Sequence, residues 1–99
     1  MEKQDKIDFA DNMYKKISLL LEDVYSSEKD FDAQFINKEE FSDIMFFYFD
    51  RYKDLSKSTE QFFDFHGESD LYYELYKELS LLEKELTTIS KKVELIKND

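Results

Sequence analysis

The sequence predicts an all-α fold, an antiparallel three-helix bundle of long, coiled-coil-like helices, and three observations carry that prediction. Apolar residues recur at spacings of three and four along most of the chain, the period of a helix face. The 99 residues include no Pro and a single Gly, Gly67, so the positive-φ turns of a multi-stranded sheet have almost nothing to build them. Ten Phe and seven Tyr supply the bulky apolar surface of one core in a single domain over 1–99.

The first helix is expected over about 3–27, on the stripe Ile7, Ala10, Tyr14, Ile17, Leu21 and Val24. Phe31 and Phe35 extend the rhythm to 34 unless Ser26 and Ser27 break it. The middle helix is expected over 38–65, opened by a capping box of Asn37 with Glu40 and closed by His66 and Gly67. Its stripe is Phe41, Met45, Tyr48, Tyr52, Leu55, Thr59 and Phe62. Ile44, Phe46, Phe47 and Phe49 widen the apolar surface, and Ser56 to Thr59 is a candidate interruption. The third helix is expected over 69–97, with Ser69 as N-cap and a seam of Tyr72, Leu75, Leu79, Leu82, Leu86, Ile89, Val93 and Ile96. A hairpin of the last two helices, with the first packing loosely or swapping into a dimer, is the alternative architecture.

Net charge is −10, from 24 acids and 14 bases, and it divides as −4, −3 and −3 over residues 1–35, 36–66 and 67–99. Such a surface repels nucleic acid and anionic lipid and attracts basic proteins. With no Cys there is no disulfide, thiolate nucleophile or zinc–thiolate site. The charged start, with no apolar run after it, carries no signal for secretion, so the expected location is cytoplasmic. All bases but Arg51 are Lys, and the bias to Lys, Phe, Tyr and Ile fits the coding of a low-GC bacterium or its phage.

Catalytic chemistry is not expected. His66 is the only histidine and sits at a helix stop, where its role is to cap. Glu28, Asp30, Asp32, Gln34 and Glu39 fall at alternating offsets, and with the stretch Ile36 to Phe41 they resemble an EF-hand calcium loop and the start of its exiting helix. Glu28 stands where that family uses Asp, and Ala33 replaces the Gly of its sharp turn. The expectation is an acidic connector with no metal and no cofactor.

Carboxylates accompany aromatics along two helices. Asp43, Phe47, Asp50 and Asp54 line one side of the middle helix, and Glu74, Glu78, Leu81 and Glu85 one side of the third. Asp70, Tyr73 and Tyr76 add to this surface, since the seam takes Tyr72 and leaves Tyr73 pointing elsewhere. The plain reading is a solvated face laced by pairs such as Glu74–Lys77 and Asp50–Lys53. The sharper reading is a docking face, in which Tyr and Phe supply contact area and carboxylates steer a basic partner or imitate a nucleic-acid backbone. Ser69-Asp70-Leu71-Tyr72-Tyr73 resembles the acidic, double-tyrosine recognition segment of nuclease-colicin immunity proteins over these five residues, without that segment's apolar residue before the tyrosines or the proline after them. That resemblance implies acids and tyrosines cooperating against a basic enzyme.

Two functions are therefore expected from the residues. One is an inhibitor or immunity-type antagonist of a basic partner, a nuclease or other nucleic-acid-binding protein, acting without direct nucleic-acid or membrane contact as a monomer or homodimer. The other is a helical assembly module, a coiled-coil adaptor or secretion-partner subunit whose seam is completed by another chain.

Overall fold

Three helices, α1 (Glu2–Asp32), α2 (Lys38–His66) and α3 (Asp70–Leu95), make up a computed structural model that describes residues 2–95, with side chains from Lys3 onward. They form an up–down–up bundle of 55 × 18 × 17 Å, in which α1 and α3 run parallel and α2 runs antiparallel to both. Ile96 and Lys97, expected in the third helix, lie outside the described residues.

α1 runs unbroken through Ser26 and Ser27, because the second serine has a tertiary use. The buried Tyr48 hydroxyl donates to the Asp23 carbonyl at 3.1 Å, and its oxygen lies 2.7 Å from Ser27 Oγ. With the phenol's single proton committed to Asp23, Ser27 donates in turn. The helix stops at Asp32, short of the extension to 34. Gln34 takes a left-handed φ of 66°, Phe35 N–H donates to the Asp30 carbonyl at 2.9 Å, and Gln34 N–H to that of Phe31 at 3.0 Å. That pair of bonds is a Schellman closure with glutamine where glycine is usual. Beyond it Phe35 is 79% exposed, so it is not a core residue; Phe31 is half-buried against the core, stacked on Phe41 at 4.7 Å.

α2 opens on the expected box. Glu40 N–H donates to Asn37 Oδ1 at 2.8 Å, and Asn37 N–H to Glu40 Oε1 at 3.1 Å. Ser56 to Thr59 does not interrupt it, since Thr59 Oγ1 donates to the Leu55 carbonyl and its methyl group enters the core. Gly67 ends it with φ 87° and an N–H donated to the Phe63 carbonyl at 2.8 Å. Ser69 holds the expected position before α3, but as a cap it fails. Its carbonyl accepts from Tyr72, whereas its Oγ is buried and makes no hydrogen bond.

The α3 seam is buried from Leu75 to Val93 as expected, with Tyr72 packed at its edge. In α1 the buried stripe is Ala10, Met13, Ile17, Leu20 and Val24, so Tyr14 and Leu21 flank it instead of occupying it. The reason is polar: on the flank the Tyr14 hydroxyl reaches Glu74 at 3.4 Å, where in the core it would stay unsatisfied. In α2, Phe63 is buried and Phe62 lies beside it, stacked on Phe9 at 3.9 Å. Tyr52 and Leu55 are also half-buried, and Phe46 and Phe47 are exposed. Each buried large side chain contributes roughly 1.5–3 kcal/mol by leaving water, and all three helices share that burial. The first helix packs against both of the others.

Candidate functional site

The residues expected to form a docking surface fall on three different parts of the bundle. Asp43, Phe47, Asp50 and Asp54 are all exposed along the outer flank of α2. Phe47 and Asp54 belong to the side that turns toward α1, as Phe62 does where it meets Phe9. The Arg51 guanidinium lies 5.7 Å from the Phe47 ring centroid, a cation–π contact within the stripe.

Glu74, Glu78 and Glu85 lie on the opposite side of α1, along the groove between α1 and α3. Burial raises the Tyr14 hydroxyl above its ordinary pKa, and the Glu74 and Glu78 carboxylates raise it further. Tyr25 is raised by burial, then by Glu85 and Glu28. Farther along the groove Lys92 Nζ sits 3.2 Å from Glu28 and 3.0 Å from Asp32, and these bonds, Asp32 first, hold its pKa up. Glu28, Asp30 and Asp32 thus belong to α1 and not to a loop, so the EF-hand-like arrangement does not form. Among the described residues no three His, Asp or Glu side chains group closely enough to hold a metal ion.

Whereas Asp70 borders the start of α1, in a cleft it shares with Lys3, Lys6 and Ile7, Tyr73 and Tyr76 join a third region, at the Gly67 end of the groove between α2 and α3. Tyr72 is its centre, with ring centroids 5.5 Å from Tyr73, 6.4 Å from Tyr76 and 5.2 Å from buried Phe63. Tyr73 donates to Glu68 at 2.8 Å, and Tyr52 donates to Glu83 at 2.6 Å. Burial, the Glu83 hydrogen bond and its charge push Tyr52 up to about 12. Tyr72 is raised by burial and then by Glu60, Glu68 and Asp64; Tyr73 is raised chiefly by its bond to Glu68.

Glu60, Asp64, Glu68, Glu83 and Tyr52 were not among the expected site residues. Their signal is the hairpin register. Residues equally distant from the Gly67 connector meet, Phe63 with Tyr72 and Tyr52 with Glu83, so acids on either arm converge on the tyrosines. A helical repeat read one helix at a time does not contain this.

Charge pairing decides what these surfaces can do. Among the described residues Lys92 makes the only ion pairs. The Glu74–Lys77 and Asp50–Lys53 pairs do not form, and Asp43, Asp50, Asp54, Asp70, Glu74, Glu78 and Glu85 engage no cation within 4.0 Å. His66 lies between aromatic rings, 4.3 Å from Phe62 and 4.9 Å from Phe65, in the last turn of α2. At the far end Met45, Phe46, Phe49 and Val93 line an open cleft of about 290 Å³ between α2 and α3. No described helix is long and apolar enough to cross a membrane. In comparison with known proteins, no family model, no curated protein and no solved structure matches this chain.

Proposed function

We propose that this chain is a small, non-enzymatic binding protein that antagonises a basic, nucleic-acid-handling protein by docking an acidic, aromatic helical surface onto it. The observation that carries this reading is the open state of the carboxylates: a surplus of ten negative charges on a packed bundle, with a single lysine engaged in ion pairs among the described residues. Carboxylates on a preformed helix surface need no backbone ordering on binding, and they steer a basic partner by long-range attraction. A protein that handles nucleic acid offers a groove already built for polyanions, which such a surface can occupy. The reading places the chain in the cytoplasm with its partner, where a cysteine-free protein loses nothing to the reducing conditions.

The test is capture of partners on the immobilised chain from its native host at low and at high salt. The reading expects a basic nucleic-acid-binding protein that salt releases and that DNA or RNA displaces. Asp43→Lys, Asp50→Lys or Glu78→Lys should weaken its capture. A partner that is acidic, or one held equally well at high salt, defeats the reading.

The exposed Phe46 beside the apolar cleft favours a second reading, a helical assembly module. That reading no longer draws on the α3 seam, because Leu75 to Val93 are covered by α1 and α2. It expects association that grows with protein concentration and is insensitive to salt, measured by light scattering over a dilution series.

A further inference from the structure

The three acidic regions differ in what they could hold, and the Gly67 end of the α2–α3 groove is the most specific. Tyr73 and Tyr76 are 58% and 57% exposed, and they flank Tyr72, whose ring is anchored against buried Phe63. The floor is therefore aromatic and fixed from beneath. Its rim is anionic: Glu60 and Asp64 come from α2, Glu68 from the connector, and among the described residues none of the three is in an ion pair. Lys53, Lys57 and Lys77, exposed on the same two helices, pair with none of those carboxylates, of which Glu68 accepts from the Tyr73 hydroxyl at 2.8 Å.

We propose that this tyrosine floor and carboxylate rim receive an arginine, and that the docking element of the partner is an arginine-bearing protein segment. The inference rests on the reading that the partner is a basic protein, and it names the place and the side chain. A guanidinium is flat, weakly hydrated and forked, so it can stack on a tyrosine face while donating two hydrogen bonds to a carboxylate at the edge. An ammonium is a compact, strongly hydrated point that uses the rim and gains less from the floor. The chain's own cations divide the same way. Arg51 lies over the exposed Phe47 ring at 5.7 Å, whereas Lys92 is held by two carboxylates. Charge complementarity selects a basic occupant; the exposed rings select arginine among the basic residues.

The test uses two soluble peptides of identical sequence, except that one carries arginines where the other carries lysines. Binding to the intact chain is measured by calorimetry at low ionic strength and mapped by amide NMR shifts. The arginine peptide should bind about fivefold tighter, with shifts centred on Glu60 to Asp64 and Glu68 to Tyr76. Tyr73→Leu with Tyr76→Leu should erase that preference while changing affinity for the lysine peptide by less than about twofold. Tyr73→Phe with Tyr76→Phe should keep it, because the rings remain. Glu60→Gln, Asp64→Asn and Glu68→Gln together should weaken the arginine peptide about tenfold. Glu74→Gln, Glu78→Gln and Glu85→Gln remove the same charge elsewhere and should weaken it about twofold. Circular dichroism on each variant confirms that the helices persist. Equal affinity for the two peptides, shifts centred on another face, or equal losses in the two triple variants overturns the arginine site and leaves the basic-partner reading standing. Failure of both peptides to bind at low salt overturns both.

Discussion

The two grooves that flank α3 are made of the same residue types and differ in one cation. Between α1 and α3, Tyr14 and Tyr25 face Glu74, Glu78 and Glu85, and farther along Lys92 pairs with both Glu28 and Asp32. Between α2 and α3, Tyr52, Tyr72, Tyr73 and Tyr76 face Glu60, Asp64, Glu68 and Glu83, and no lysine answers them. The first groove is partly closed on itself at one end, as a seam between parallel helices. The second is open. Acidic content alone does not tell the two grooves apart; what does is whether the chain supplies a counter-cation of its own.

The harshest way to break the comparison is to remove the core under both grooves. Leu86 is fully buried in α3, and Leu86→Ala should lower the unfolding free energy by about 3 kcal/mol in a denaturant titration. Both grooves should be lost in one transition; separate transitions would show that α1 packs independently.

Alkaline titration separates the grooves by their tyrosines. The Tyr52 pKa in the folded chain is raised to about 12 from an ordinary 10, so the folded state holds the phenol proton more tightly than the unfolded one. Its contribution to stability is complete below pH 10 and is lost as pH rises from 10 to about 12. Tyr52→Phe should flatten that loss in denaturant midpoints measured across the window, and an unchanged slope would assign it to other groups.

Lys92→Met tests the counter-cation directly. Lys92 is raised above 10.5 in the folded state, so its pairs stabilise below that pH and fade as pH climbs through the raised value. Near neutrality the cost should be small, about 1 kcal/mol, since the lysine and Asp32 are largely solvated. The informative readout is binding: with Glu28 and Asp32 released, the α1–α3 groove should gain measurable affinity for a basic peptide. If it gains none, the missing cation is not what sets the two grooves apart.

Gln34→Gly is the control, an uncharged and exposed turn residue two positions beyond Asp32. Relieving the left-handed φ of 66° should raise stability by about 0.5 kcal/mol net of the freedom glycine adds to the unfolded chain. Peptide binding should not change.

The sequence by itself determined the three helices, the Asn37–Glu40 box, the Gly67 stop and the α3 seam, because each is set by interactions within a few residues or by a period that one helix contains. Tertiary structure decided the rest. Whether Met13 or Tyr14 enters the core depends on a carboxylate sixty residues away, and Ser27 stays helical because Tyr48 meets it across a groove. The same holds for the candidate site. Asp43 and Glu74 read alike as acids beside aromatics, yet they border different sides of α1, and the four-tyrosine surface exists only once α2 and α3 are folded back on each other. Helical periodicity states which residues share a face; only packing states which faces meet, and the four-tyrosine surface lies where faces from two helices meet.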